Sequence, residues 1–396
     1  ISHAQTKVMT VDEITAMAIQ NSYKLKAEDL NIQSANSLIR SANEMPKLNV
    51  NVQFGQYSSI KFDNAFSITQ TIPFPTLFAA KRNAIKAAVS SKELDKQIAK
   101  NEIVLKVQSY FYQLLYLENY NQKLQYLDSL YQDFVATSSL RYKSGETKQL
   151  EKTTAEAKRN EIMLQLSQNE FEIAICYKTL KLYMDNNDSF AIHREALYTP
   201  IIVSALANTV QMEQHPTIQK LQQEAIVAEQ NRKLEKANGL PDFTLSYANQ
   251  SLIGFQNINN QDVFFNAAKR FHYGAVGIDV PLTYGATKSK MKSLEIQKQA
   301  LQATAQFERR ELEVQLLNAQ QQYFQYLSQY RFYIDNALPS AQEIIKAAKL
   351  GYTSGEVNYI EFLLVLENKT EVELKCMQTI QQINQIALNI NYLTSK

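Results

Sequence analysis

The sequence predicts a mainly α-helical protein with a small β part, built as two copies of one structural plan. Glycine occurs at only nine of the 396 positions, and long helix-favouring stretches fill the intervals between the glycines. Four short stretches alternate apolar and polar residues, which is the pattern of β-strands. The motif Tyr-x-Ser-Gly-Glu occurs twice, at 142–146 and 352–356, each time between two helical stretches. A single glycine in that setting is typical of the turn of a helical hairpin.

Composition and charge exclude several classes of protein. Apolar residues make up 45% of the chain, and the formal net charge is only +2. No basic run is interleaved with aromatic residues, so the sequence predicts no nucleic-acid partner. No apolar stretch approaches the roughly 18–20 residues of a membrane-spanning helix. Residues 1–5, which do not begin with methionine, are expected to be the tail of a removed export signal. We expect Cys176 and Cys376 to be buried and unbridged.

The first repeat is assigned to residues 10–184. A helix is predicted over 11–44, with Thr10 as its cap and Glu13 completing a capping box. Alternating residues then predict strands at 48–57 and 62–74. From Thr76 to about residue 136 there is neither glycine nor proline. Some 60 residues form roughly 90 Å of helix, far more than a compact domain needs, and an apolar 3–4 spacing along it is typical of a coiled coil. The first hairpin tip is placed at 141–147, and a second helix follows at 148–184.

The second repeat, residues 215–396, has the same order of elements. Residues 185–214 are interpreted as a linker without a domain of its own. A helix is predicted from Pro216 to residue 238, then strands at 242–252 and 271–283 joined by a polar loop at 253–270. A long helix over 286–337, interrupted or kinked at Pro339, leads to the second tip at 351–357. The last helix covers about 357–393.

Four strands with one apolar face cannot be stable alone in a bilayer. An open sheet leaves two unpaired edges, and each unsatisfied backbone group in hydrocarbon costs several kcal/mol. Three chains would supply twelve strands, an even number suited to an outer-membrane β-barrel, and twelve helical strands to continue it as an α-helical barrel. The sequence therefore predicts a homotrimer in contact with outer membrane lipid. The alternative is a soluble sheet packed on helices.

The arrangement of these motifs resembles a known family. Residues 67–75, Ser-Ile-Thr-Gln-Thr-Ile-Pro-Phe-Pro, and residues 352–362 carry its most specific features, together with the order and spacing of the two repeats. Over essentially all of residues 7–396 the chain resembles the TolC-like outer membrane efflux proteins, trimeric channel-tunnels of tripartite pumps. It is most similar to the branch that serves heavy-metal pumps of the resistance-nodulation-division (RND) class.

This resemblance implies a passive exit channel in the outer membrane of a Gram-negative bacterium, extending into the periplasm. The resemblance implies two partners, a periplasmic adaptor protein and an inner-membrane pump of the RND type. It implies neither enzymatic activity nor a cofactor. The residues implied in adaptor docking lie at the two tips: Tyr142, Ser144, Gly145, Glu146, Tyr352, Ser354, Gly355 and Glu356.

The resemblance also implies a gate at the tips. In closed members, a tyrosine three before the second tip glycine can bond an acid six after the first, and Tyr352 and Glu151 occupy these positions. Glu361 retains one pore-facing acid, whereas Leu364 replaces another, and Val357 stands where a basic residue often reinforces the lock. Glu151 and Glu361 could instead serve only to stabilise the starts of their helices through the helix dipole.

No catalytic constellation is found in the sequence. The four histidines, at positions 3, 193, 215 and 272, have no partners at metal-ligand spacing. Two other functional readings remain beside the efflux channel. One is the outer membrane component of a type I protein secretion or drug efflux system, and the other is a periplasmic coiled-coil adaptor or scaffold without a pore.

Overall fold

The computed structural model describes residues 7–56, 58–146, 148–192, 199–203, 209–282 and 284–394. Several sequence predictions concern residues outside these ranges: the export-signal tail at 1–5, His193, and the terminal residues Thr147 and Thr283 of a predicted tip and strand. The chain divides into two compact units. The helical unit comprises residues 1–27, 96–216 and 308–396, and the sheet unit comprises residues 28–95 and 217–307. Each unit takes segments from both predicted repeats.

The region expected as one helix over 11–44 is two helices, α1 (Val11–Asn21) and α2 (Tyr23–Ser37), followed by a 3₁₀ turn (Arg40–Asn43). The predicted capping box is confirmed, because the Thr10 hydroxyl accepts from the Glu13 amide and the Glu13 carboxylate accepts from the Thr10 amide. The single-helix prediction was wrong at Ser22, where the backbone is extended. The Ser22 hydroxyl accepts from the Leu25 amide at 3.3 Å, so this serine caps the start of α2.

The long helices agree with the sequence patterns. α3 (Thr76–Lys143) runs for 68 residues without a break, and α4 (Gln149–Met184) follows the first tip. In the second half the helices are α5 (Pro216–Asn238), α6 (Tyr284–Phe332), α7 (Leu338–Ser354) and α8 (Tyr359–Leu393).

The predicted interruption at Pro339 takes the form of a π-helical turn. This turn, Tyr333–Ala337, joins α6 directly to α7, and Pro339 lies in the first turn of α7. Proline lacks the amide hydrogen that a helix interior requires, and the backbone just before it widens so that the Leu338 amide donates to the Tyr333 carbonyl, five residues back. The wider π turn lets the backbone pass without ending the helical segment.

The core of the helical unit lies where α1 packs on α3 and α4. Ile14 and Ala18 of α1 are fully buried there, together with Val107 of α3 and Leu180 of α4. A parallel strand pair, β1 (Lys7–Met9) and β4 (Phe190–Ile192), adds Met9 and Phe190 to this core. The segment interpreted from the sequence as a linker, 185–214, thus contributes one short strand to this core. Cys176 and Cys376 are both buried and free, as predicted.

The sheet unit contains an antiparallel sheet of four strands in the order β2-β3-β5-β8. The strands predicted from alternation are present, as β2 (Asn49–Gly55), β3 (Asp63–Ile72), β5 (Asp242–Ser251) and β8 (Arg270–Asp279). Within the described residues, β2 and β8 each have a neighbour on one side only. In the same unit, α5 is joined to the first part of α3 by an ion pair between Lys220 and Asp95 at 2.7 Å.

The polar loop expected at 253–270 was also a wrong prediction. It contains a separate hairpin of two strands, β6 (Gly254–Ile258) and β7 (Gln261–Phe265). Asn259 and Asn260 connect them with φ angles of 53° and 60°. Asparagine tolerates the left-handed region better than most residues, and two such residues in sequence make the tight turn that suits a β-hairpin.

Candidate functional site

The two hairpin tips, both in the helical unit, end their helices with the same hydrogen bonds. At the first tip, the Gly145 amide donates to the Tyr142 carbonyl and the Glu146 amide to the Arg141 carbonyl. At the second tip, Gly355 and Glu356 donate in the same way to the carbonyls of Tyr352 and Gly351. Both glycines have positive φ, 76° and 83°. The repeated motif therefore encodes a Schellman cap, which requires a residue that tolerates the left-handed conformation.

The serines of the repeated motif complete these caps. The Ser144 hydroxyl donates to the Arg141 carbonyl at 3.0 Å, and the Ser354 hydroxyl donates to the Gly351 carbonyl at 3.1 Å. The residues predicted for adaptor docking, 142 and 144–146 in the first tip and 352 and 354–356 in the second, are all solvent-exposed.

Glu361 lies at the start of α8 and belongs to a capping box. Its amide donates to the Asn358 side chain, and its carboxylate accepts from the Asn358 amide, both at 3.0 Å. The neighbouring Val357 folds back on the end of α7, where a Cβ at Gly351 would lie 2.6 Å from a Val357 methyl. Val357 stands where the resembled family often has a basic residue, and here it makes an apolar contact within its own tip.

Glu151 lies in the first turn of α4 and pairs with a residue of its own hairpin. The Arg141 guanidinium donates to the Glu151 carboxylate at 3.4 Å and lies 3.8 Å from Glu146. The Tyr352 ring stacks on Phe362, with centroids 5.3 Å apart and planes inclined by 19°. The bond between Tyr352 and Glu151 therefore stays a prediction. Arg141 was visible in the sequence directly before the motif, but its role was not foreseen.

An aromatic cluster joins the second tip to the first hairpin. Tyr359, at the start of α8, contacts Phe134 of α3 edge-to-face at 4.5 Å, and Phe134 in turn contacts Tyr131 at 5.9 Å. On its other side Tyr359 lies 6.3 Å from Tyr352. The Tyr359 side chain is only 5% exposed, and its hydroxyl has no hydrogen-bond partner among the described residues. Burial, with Tyr352 and Glu151 nearby, raises the pKa of that hydroxyl. The aromatic cluster consists of five residues: Tyr131, Phe134, Tyr352, Tyr359 and Phe362.

Further along α8, towards its C-terminal end, hydrogen bonds and ion pairs link this helix to both helices of the first hairpin. The Tyr131 hydroxyl of α3 donates to Glu367 at 2.7 Å, and Lys158 of α4 lies 3.7 Å from the same carboxylate. Further along, Glu373 accepts from Lys123 of α3 and from Lys369. Although burial opposes it, these two ammonium groups hold the pKa of the Glu373 carboxyl below its usual value. Pairs of this kind fix which side of α8 faces α3.

Leu364 lies on the exposed side of α8, away from the buried Tyr359 and Leu366. It is 53% exposed, and Ile360, one turn earlier, is similarly exposed. Glu361 lies on the same side, between them in sequence. Among the gate residues predicted from the sequence, Glu361 and Leu364 thus share one exposed face of α8, whereas Glu151 and Tyr352 take part in contacts within the tips.

The four-stranded sheet has two chemically different faces. The pairing places Val50 opposite Ile68 and Ile68 opposite Tyr247, so that these residues share one face. This apolar face consists of Val50, Val52, Phe54, Phe66, Ile68, Ile72, Phe243, Leu245, Tyr247, Val276 and Ile278, with polar residues mainly at one end. The other face, called the polar face, carries Asn49, Asn51, Ser67, Thr69, Thr244, Ser246 and Asp279, with Phe271 and Tyr273 near one end. Val50, Val52 and Val276 are more than half exposed on the apolar face.

Two helices of the helical unit carry exposed apolar stripes at heptad spacing. On α4 the stripe is Leu164, Phe171, Ile175 and Leu182, and on α6 it is Val314, Leu317 and Phe324. Steps of seven, four and three residues return to the same side of a helix. Exposed apolar stripes of this kind are typical of helices that pack against another helix.

None of the helices in the described part of the chain is both long enough and apolar enough to cross a membrane. No sequence model of a protein family matches the chain, and no curated protein does. Solved structures give clear matches. CusC, whose structures concern transmembrane channel formation, is 17% identical with a TM-score of 0.75, over 99% of this chain and 94% of CusC.

Two further structures are outer membrane channels. The CmeC channel of Campylobacter jejuni is 14% identical with a TM-score of 0.75, over 97% of this chain and 85% of CmeC. The open MtrE channel of Neisseria gonorrhoeae is 13% identical with a TM-score of 0.75, over 97% of this chain and 88% of MtrE. The resemblance predicted from the sequence is thus confirmed for the fold, which is that of outer membrane channels.

Proposed function

We propose that this chain, which has the fold of outer membrane channels, is the outer membrane exit channel of a tripartite efflux pump. It acts as a homotrimer in the outer membrane of a Gram-negative bacterium and extends into the periplasm. It transports passively, and a gate at its periplasmic tips controls passage. The observation that carries this proposal is a sheet whose apolar face is exposed and whose edge strands each have only one neighbour within the described residues.

The two faces of the sheet suit a barrel wall. Lipid contacts the apolar face, around Ile68 and Val276, and water in the lumen contacts the polar face, around Thr69 and Ser246. Edge strands β2 and β8 pair with the edges of neighbouring copies, which satisfies their backbone groups. Three copies form a barrel of twelve strands. A soluble sheet packed on helices would instead bury the apolar face, and a periplasmic adaptor or scaffold would have no need of such a sheet.

The exposed stripes on α4 and α6 suit the same assembly. The α4 stripe of one copy packs against the α6 stripe of the next, in the manner of a coiled coil. Because the two stripes are different surfaces, the interface is heterologous. An open assembly would leave one stripe uncovered at each end, whereas a closed ring covers both stripes of every copy. Leu164 and Phe171 on one side and Val314 and Phe324 on the other are the central residues of this interface.

The gate forms where the tips of three copies meet. Glu361 and Leu364 lie on one exposed face of α8, so three copies would place a carboxylate ring beside an apolar ring. A carboxylate ring attracts cations, and an apolar constriction can close a pore by excluding water. Glu151 and Tyr352 hold the tips in shape through Arg141 and Phe362. Contact of the adaptor with the exposed residues of Tyr142–Glu146 and Tyr352–Glu356 widens the gate.

The inner-membrane partner is an RND pump that exports heavy-metal cations. Support for this choice comes from the residues at 67–75 and 352–362 that resemble the heavy-metal branch, since the fold is equally similar to CusC, CmeC and MtrE. A complementation experiment distinguishes among the possible transported substrates. Expression in a strain lacking its own metal-efflux channel should restore metal resistance, whereas rescue of drug resistance or protein secretion alone would contradict the metal assignment.

The oligomeric state tests the channel proposal. The protein should appear in the outer-membrane fraction and, after extraction with a mild detergent, have the mass of three chains by light scattering. A stable monomer, or protein recovered only from the soluble periplasmic fraction, would overturn the proposal.

A further inference from the structure

The β6–β7 hairpin is attached to the polar face of the sheet. Its Phe265 is only 5% exposed and stacks on Phe271, with ring centroids 5.6 Å apart and planes inclined by 17°. Phe271 alternates with His272 along β8 and shares the polar face with Tyr273 and Asp279. The hairpin therefore lies on the polar side of the sheet, opposite the side that carries Val276 and Ile278.

A buried carboxylate fixes the root of the hairpin. Asp63, at the start of β3, is fully buried and accepts hydrogen bonds from the Ser251 hydroxyl and the Ile253 amide, both at 2.9 Å. It also accepts from the Ser59 hydroxyl at 2.6 Å. These bonds tie the turn before β3 to the segment from which β6 begins. A buried carboxylate with several donors holds its neighbours in one arrangement, because losing a donor would leave charge unsatisfied.

The other surface of the hairpin is aromatic and uncovered. Phe255 and Phe264 face each other across the two strands at 5.3 Å and are 72% and 48% exposed. They point away from Phe265, because neighbouring residues in a strand point to opposite sides. The Lys61 ammonium lies 5.8 Å from the Phe264 ring centroid. Asn257 shares this surface and donates to Asp262 at 3.0 Å.

From this geometry we infer that the β6–β7 hairpin projects into the mouth of the channel and narrows it. The inference rests on the proposed function, in which the polar face of the sheet lines the lumen. A hairpin on that face lies inside the wall, and its Phe255–Phe264 surface faces the pore axis. Three copies make an aromatic collar, with Lys61 beside each phenyl pair, that every solute passes in addition to the gate at the tips.

Substitution of the phenyl pair tests the collar. We expect Phe255→Ser with Phe264→Ser to raise the single-channel conductance of the trimer in a planar bilayer. Ile60→Ser is the matched control, because Ile60 is an even more exposed apolar residue in the β2–β3 turn, outside the hairpin. It should leave the conductance unchanged. An unchanged conductance in the double variant would overturn the collar and leave the channel proposal standing, whereas no conductance from the parent protein would overturn both.

A second measurement leaves Phe255 and Phe264 unchanged and instead adds bulk beside them by labelling a cysteine. Both native cysteines are buried, so Asn257→Cys introduces one accessible thiol on the collar surface. Labelling it with a bulky methanethiosulfonate reagent should reduce the single-channel current, while equal labelling of Ile60→Cys should not. Complete labelling at position 257 without a fall in current would show that the hairpin lies away from the pore, and would contradict the inference.

Discussion

At the scale of single residues, charged and aromatic side chains have different roles at the tips. Glu361, Glu151 and Arg141 are satisfied by partners in their own hairpins. Nearest the tips the contact between the two hairpins is aromatic, through Tyr359 on Phe134, and the polar bonds to Glu367 lie two turns further along α8. We therefore expect the relative position of the tips to depend on ring packing more than on ion pairs.

Tyr359 gives the direct test of that expectation. Removal of a buried aromatic ring costs roughly 3–5 kcal/mol, so Tyr359→Ala should loosen the tips and increase the time that the trimer spends in conducting states. Tyr359→Phe keeps the ring and removes only a hydroxyl without a described partner. It should leave gating unchanged. Equal gating in the alanine variant and the parent would show that the aromatic cluster has no part in the gate.

Glu361 has two roles that paired substitutions separate. As a capping-box residue it stabilises the start of α8 by about 1 kcal/mol, and as a pore residue it supplies negative charge. Glu361→Gln retains the cap and removes the charge, whereas Glu361→Ala removes both. Both variants should lower the cation selectivity of the pore, and only alanine should lower the thermal unfolding midpoint. Unchanged selectivity in both would leave Glu361 with the capping role alone.

Some of these residue roles were readable in the sequence and some were not. Asn358 three residues before Glu361 is a capping-box pattern, and the tip glycines mark left-handed positions. The contact of Tyr359 with Phe134 joins residues more than two hundred positions apart. Periodicity shows that both belong to an apolar face, but it does not show which face of α8 meets which part of α3.

At the scale of elements, alternation predicted the strands of the sheet and the side of each residue. Ile68 and Thr69 are neighbours on opposite faces, so substitution at both positions tests the barrel. Arginine on a lipid face near the bilayer midplane costs roughly 2–4 kcal/mol. Ile68→Arg should therefore reduce the yield of folded trimer in lipid, whereas Thr69→Arg should alter ion conductance with little loss of folding. Equal folding losses at the two sites would contradict a lipid-facing Ile68.

Three features of the structure were not predicted from the sequence, each for a different reason. Asn259-Asn260 between Phe-containing stretches is a tight-turn signal, but the polar residues around it favoured a loop. The break at Ser22 was hidden because apolar residues continue on both sides of it. The β1–β4 pair could not be predicted, since each strand has three residues and its partner lies far away in sequence.

At the scale of the whole molecule, the exposed stripes on α4 and α6 predict how copies associate. Phe171→Lys places a charge in the middle of the α4 stripe, where burial without a partner would be costly. We expect this variant to shift the detergent-solubilised protein from trimer towards monomer. Met163→Lys is the control, because Met163 is equally part of α4 and exposed but lies off the stripe. A trimer of unchanged stability in Phe171→Lys would show that α4 is not at the interface.

The proposed function requires that the folded chain assemble into a water-filled pore. Current through a planar bilayer containing the purified, helix-rich protein tests it most directly. We expect discrete, reproducible current steps that are cation-selective because of Glu361. A bilayer that stays electrically silent with folded trimer, both of the parent protein and of the Tyr359→Ala variant with its loosened gate, would contradict this proposal.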